Sequence, residues 1–170
     1  MSIQEVRSVD NPQKNYEFEV EIVGSIAGGS VQYLKDRVQT ATIPETSVET
    51  FVINHKGGKT THAGRDGSPK TVNVTYFDDE GNGMYAFHKN WMDNGILNET
   101  TGAGQTRDQY QAEMYIRRFA ADSETVTQKH RITKLFPTTI NEGTLNYEGS
   151  EVAIVEVTYS FDECNLVAND

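Results

Sequence analysis

The sequence predicts an all-β domain with a single α-helix. Three segments, around residues 16–22, 71–76 and 153–162, alternate apolar and polar side chains with period two, the mark of half-buried strands. Only residues 82–94 show helical spacing. One helix cannot cover both faces of a sheet, so the strands must curl into a barrel or sandwich.

The elements follow in chain order. Tyr16, Phe18, Val20 and Ile22 alternate with Glu17, Glu19 and Glu21, giving one apolar edge and one row of carboxylates. The segments 31–43 and 47–54 are rich in Val, Ile, Thr and aromatics and read as strands. Residues 54–67 hold four glycines and a basic centre and read as a flexible hairpin tip. Val72, Val74 and Tyr76 alternate with Thr71, Asn73 and Thr75. Asp78, Asp79 and Glu80 then bring negative charge to the start of the helix, where the dipole favours it. Met84, Phe87, His88 and Trp91 form the helix's core stripe, and Gly95 is its expected stop. Residues 98–111 are polar and read as a flexible loop. Segments 113–119 and 125–135 are further strands, and 153–162 is the clearest one. Residues 1–14 read as a polar N-terminal segment and 164–170 as a C-terminal tail, so 1–170 forms one domain without internal repeats.

Composition narrows the function. The chain has 170 residues, with 15 Lys+Arg against 25 Asp+Glu and a net charge of -10. A protein that grips phosphates needs clustered cations, which this balance opposes. An acidic wall past which nucleic acid slides is compatible with it. The single cysteine, Cys164, excludes an intrachain disulfide and a cysteine metal cluster and reads as a tail residue. The polar start lacks the apolar core of a secretory signal, and no apolar run spans a bilayer, so the expectation is a protein made in a reducing cytoplasm.

Motifs for chemistry are absent from the sequence. Gly57, Gly58, Lys59 and Thr60 echo the end of a phosphate-binding loop, but its first glycine and the following helix are missing. The histidines are His55, His62, His88 and His130. None has ligands at metal spacing, so no metal or cofactor is expected. The 78–80 acidic run lacks the donor spacing of a calcium loop. No serine or cysteine sits in a nucleophile elbow, and Glu17, Glu19 and Glu21 line an exposed strand face where carboxylates serve solubility. No convergent constellation supports an enzyme.

Three stretches resemble the tail tube proteins of contractile-tailed bacteriophages. They are residues 40–45 (TATIPE) with Val48 and Glu49, residues 115–126 (YIRRFAADSETV), and residues 135–140 (LFPTTI) followed by 143–147 (GTLNY) and 152–162. The resemblance spans most of residues 15–163, and the helix around Phe87 and Trp91 falls where that family has its helix. It implies two antiparallel sheets forming a small barrel flanked by the helix, a fold shared with haemolysin-coregulated tube proteins of type VI secretion. It further implies six-membered rings that stack into a tube with a continuous inner barrel, enclosed by a sheath whose contraction drives the tube through the envelope. The implied partners are further copies of the chain, the tail sheath protein, a baseplate hub or tube initiator, the tape measure protein, the tail terminator, and genomic DNA that passes through the lumen unbound. The implied location is the virion tail, after assembly in the host cytoplasm.

Two surfaces are candidates for that role. Lys56, Gly57, Gly58, Lys59 and Arg65 are expected to contact the next ring, the glycines allowing tight turns and the cations meeting an acidic neighbour. Thr71, Asn73 and Thr75, together with Glu156, Thr158, Ser160 and Asp162, are expected to face the lumen, with Glu17, Glu19 and Glu21 as a third polar face. The alternatives are a type VI or other contractile injection tube and, more remotely, a small β-barrel enzyme or ligand binder with an apolar pocket.

Overall fold

The computed structural model describes residues 15–24, 32–97, 100–120, 122–143 and 152–168. The polar N-terminal segment 1–14, residue 31 of the expected strand 31–43, residues 98–99 of the polar loop, residue 121, residues 144–147 of the third family-like stretch and the last two residues lie outside them.

The elements run β1 (Phe18–Val23), α1 (Gln32–Lys35), β2 (Val38–Ala41), β3 (Val48–His55), β4 (Gly58–Asp66), β5 (Thr71–Phe77), α2 (Gly83–Asn90), a π-helical turn (Trp91–Ile96), α3 (Arg107–Tyr110), β6 (Ala112–Phe119), β7 (Val126–Asn141), β8 (Ile154–Ser160) and β9 (Glu163–Val167). Strand order is β1-β6-β7-β8-β5-β2, with β9 also paired to β7, and all these pairings are antiparallel. The expected all-β barrel of two packed sheets with one flanking helix is the observed fold. The joint between the sheets is β7. Its first half pairs with β6 and β9, and its second half, from Phe136, pairs with β8. Lys134 at the switch has φ 56°, a left-handed corner uncommon for a residue with a side chain. The strand expected to end at 135 therefore turns there and continues to Asn141.

Alternation closes the interior. Val20, Ile22, Val72, Val74, Tyr76, Met114, Ile116, Ile132, Val155, Val157 and Tyr159 are buried. Tyr16, counted with the inward row from the pattern, precedes β1 and is exposed.

The helix is held at both ends. Asp78 Oδ1 accepts the Met84 N–H (3.0 Å), and Asp79 Oδ1 accepts the Gly83 N–H (2.9 Å). Two of the N–H groups that a helix start leaves unpaired are thus satisfied by the acidic run. Met84, His88 and Trp91 are fully buried, as the helical stripe predicts, while Phe87 is half-buried. Gly95 does not stop the helix. The chain widens into a π turn, with the Leu97 N–H bonded to the Met92 carbonyl (3.1 Å), and a Cβ on Gly95 would stand 3.1 Å from Trp91 Cδ1. Glycine at 95 gives the indole room, and the Trp91 Nε1–H donates to the Tyr110 carbonyl (2.8 Å).

Beneath the helix lies a buried polar chain. His88 Nδ1 meets the Met84 carbonyl at 2.8 Å, Nε2 meets the Tyr159 hydroxyl at 2.6 Å, and that hydroxyl meets Tyr76's at 2.8 Å. A carbonyl only accepts, so the proton sits on Nδ1. Tyr159 then donates to Nε2, and Tyr76 donates to Tyr159. Each member is satisfied only while the imidazole is neutral. Burial pulls the His88 pKa down to about 4, the Met84 carbonyl and Asp78 opposing this in part.

Other expectations are corrected. Segment 31–43 is no single strand: helix α1 precedes the four-residue β2. The Gly-rich segment 54–67 does hold a hairpin turn, but most of it is the regular strand β4 and not a loop. The loop 98–111 contains α3, closed by a capping box between Thr106 and Gln109. The expected tail from 164 is strand β9, and Cys164 within it packs against the core.

Candidate assembly and lumen surfaces

Strands β3 and β4 form a separate two-stranded ribbon, and every residue of it is exposed. Its pairs include Phe51 with His62, Ile53 with Thr60, and Asn54 with Lys59, ending at His55 opposite Gly58. Lys56 and Gly57 are the two-residue turn. Gly57 has φ 99°, a conformation that glycine adopts at no steric cost. At the base, the Ser68 hydroxyl accepts the Ser47 N–H (2.9 Å) and donates to the Ser47 carbonyl (3.2 Å). This clamp fixes where the ribbon leaves the body.

Of the expected contact residues, Lys56, Gly57, Gly58 and Lys59 lie together at the tip. Arg65 does not join them: it lies at the base, beside the bulge between Val48 and Thr50. The sequence reading also passed over the ribbon's apolar side chains. Val48, Phe51, Val52 and Ile53 are 58%, 51%, 51% and 40% exposed, and Phe51 stacks on His62 with ring centroids 5.4 Å apart. The signal was available in the unbroken apolar run 51–53, which faces polar partners on β4.

Two candidate lumen rows become one surface. Thr71, Asn73 and Thr75 stand directly opposite Ser160, Thr158 and Glu156. Thr40 of β2 extends this face on one side, and Thr139 and Asn141 of β7 extend it on the other. The result is a field of short hydroxyl and amide side chains, bordered by Phe136 opposite Ser160 and by Phe77 opposite Ile154, and among the residues named Glu156 carries the one formal charge. Asp162 falls outside it, in the turn after β8, where it pairs with Arg107 (2.5 Å) and Lys134 (3.5 Å). These cations, Arg107 foremost, hold its carboxyl below the usual range.

The second sheet's outer face differs in kind. Arg117 reaches Glu19 (3.3 Å) and Glu21 (2.6 Å), and Lys35 reaches Glu19 (2.5 Å). Glu113 pairs with Arg131 (2.8 Å), and Lys129 lies over the Tyr115 ring. The row of carboxylates expected on β1 is therefore a lattice of both signs. Among the described residues no group of three or more His, Cys, Asp or Glu is placed to hold a metal ion, and no helix is long and apolar enough to cross a membrane.

The molecule is thus a closed-core β-barrel carrying one projecting ribbon and two chemically distinct outer faces. The chain belongs to the phage tail tube protein family, whose profile matches residues 10–166. Its fold is similar to that of a chain in the cryo-EM structure of the anti-feeding prophage tube-terminating cap, at TM-score 0.69 and 16% identity, covering 95% of each chain. A chain in the sheath/tube terminator of the extracellular contractile injection system PVC is similar at TM-score 0.69 and 16% identity, over 95% of this chain and 100% of that one. A chain in the PVC sheath-tube complex is similar at TM-score 0.68 and 14% identity, over 99% of each. A sequence search of curated proteins finds no significant match.

Proposed function

We propose that this chain is the repeating, non-catalytic subunit of the inner tube of a contractile phage tail. It stacks as six-membered rings into a hollow conduit, is assembled in the host cytoplasm, and works in the virion. The sheath surrounds it, a baseplate hub or initiator starts it, the tape measure protein occupies it during assembly, and a terminator ends it. The β3–β4 ribbon carries this reading. A two-stranded ribbon is marginal in water by itself, and this one holds large apolar side chains away from the body it grows from. Such a surface is made to be covered by another molecule. Family membership supports a second tube subunit as that molecule, with the tip residues Lys56 to Lys59 reaching the next ring.

The β5–β8 face is the proposed lumen wall. Duplex DNA carries about one charge per 1.7 Å of axis, so a conduit needs a wall without cations to snag it. The field around Asn73 and Thr158 meets that need better than the face holding Arg117, Lys129 and Arg131. Asp162 is committed to its ion pairs, so the test uses Asn73→Lys with Glu156→Lys. Tubes carrying both should assemble, and DNA should leave the particles several-fold more slowly at low salt, the delay shrinking as salt screens the added charge. Unchanged release at low salt would show that this face does not meet the genome.

A further inference from the structure

We infer that Gly64, Asp66 and Ser68 are positioning residues that aim the β3–β4 ribbon, fixing its direction on the free subunit before any partner meets it. This rests on the proposed tube and goes beyond it by assigning the residues that set the ribbon's angle.

Burial does not aim the ribbon. Every residue of β3 and β4 is exposed, so no packing of its side chains on the described body holds it at one angle. The direction must come from the two legs that join it to the body. Hydrogen bonds tie those legs to each other. The Ser68 hydroxyl bonds both the N–H and the carbonyl of Ser47, and the Gly67 N–H donates to the same carbonyl (3.1 Å). Asp66 ties the joined legs to the body. Its Oδ1 accepts the Ser68 N–H (2.9 Å), and its Oδ2 accepts from Lys70 Nζ (2.7 Å). Lys70 and Ser68 together hold this carboxyl well below the usual range. Lys70 is itself fixed to the end of β8, its carbonyl accepting the Phe161 N–H (3.1 Å) and the Ser160 hydroxyl (3.3 Å). An exposed ion pair alone contributes little stability. What matters here is geometry: consecutive short bonds connect both legs to the inner sheet.

The bend is set one step further out. Val48 faces Asp66 and Thr50 faces Ala63, so Glu49 alone stands against both Gly64 and Arg65. Such a bulge bends its strand and increases the local twist. This one closes tightly. A Cβ on Gly64 would stand 3.0 Å from the Glu49 carbonyl oxygen, a backbone atom that cannot step aside by itself. A side chain at 64 would therefore open the bulge and swing the ribbon. A ribbon already aimed lowers the ordering cost of contact with a partner.

The test uses the full chain carrying Cys164→Ser, with spin labels on Lys59→Cys near the tip and Glu163→Cys on β9. Electron spin resonance of the free subunit then reads the distance from tip to body. With the natural root, one narrow distribution is expected. Gly64→Val should move its maximum. Ser68→Ala and Asp66→Ala should broaden it, and Ser68→Thr, which keeps the hydroxyl, should leave it narrow. Melting temperatures should agree within a few degrees, because none of these root residues belongs to the core cluster. Without labels, the Gly64→Val chain keeps its tip and body surfaces, yet it should elongate at least about tenfold more slowly than the natural chain. A broad distribution with the natural root, or one distribution shared by all the variants, overturns the inference. Normal elongation by a Gly64→Val chain whose distance has moved also overturns it, and the tube reading then stands. If the natural chain never assembles, with or without tube fragments as seeds, the tube reading falls and the role in assembly falls with it, while the distances still decide whether the ribbon is aimed.

Discussion

Acidifying the isolated subunit from pH 7 to pH 4 is expected to remove about 3 kcal/mol of stability through His88 alone. Burial holds the folded imidazole near 4, while an unfolded chain titrates near 6.5. Between those values the unfolded state binds a proton that the folded state refuses, so stability falls as pH falls through that window. Above it the contribution is fully present, and below about 4 nothing further is lost from this group. The cause is burial, which penalises the charged ring; a second proton on Nε2 would also displace the hydrogen that the Tyr159 hydroxyl donates there. Urea midpoints measured from pH 7 to pH 4 read the effect. His88→Gln keeps a polar group near Tyr159 but cannot titrate, so its midpoints should vary far less across that range. Some slope will persist, because burial, with Arg118 nearby, also lowers the His130 pKa. A His88→Gln profile parallel to the natural one would contradict this account.

Deleting residues 57–61 is expected to abolish tube growth while leaving the body folded. The deletion removes Gly57 of the turn and Gly58 to Thr61 of β4, all of them exposed. None of these residues belongs to the core cluster, so thermal unfolding of the monomer should shift by a few degrees at most. On the proposed reading elongation uses the ribbon on every subunit, so its loss is expected to be all-or-none. Light scattering of concentrated protein gives the readout. Tubes of normal length and stability from the deleted chain would show that the ribbon is not a contact between rings.

Much of the barrel was legible because its strands have one wet and one dry face. The rows through Val20, Val74 and Val157 advertise themselves, and the helical stripe through His88 does the same. Other elements carry no such signal. The ribbon is wet on both faces, so its glycines and threonines read as a loop although its hydrogen bonds are regular. β9 is a short strand held by pairing with β7, which no local pattern around Cys164 reports. The π turn depends on how closely Gly95 approaches Trp91, a tertiary fact. The corner at Lys134 has no glycine to announce it. The candidate lumen rows were visible as alternation, but their union into one face depends on the β5–β8 register. The withdrawal of Asp162 depends on Arg107, which is distant in sequence. The ribbon's apolar run 51–53 is visible in the sequence, but its exposure emerges only in three dimensions.

Electron cryo-microscopy of the purified chain, concentrated or seeded with tube fragments, tests the central claim most directly. The account predicts stacked rings of six subunits around an open lumen, with Asn73, Glu156 and Thr158 on its wall and the β3–β4 ribbons crossing between subunits. Particles that never exceed a single subunit under any of these conditions would contradict it.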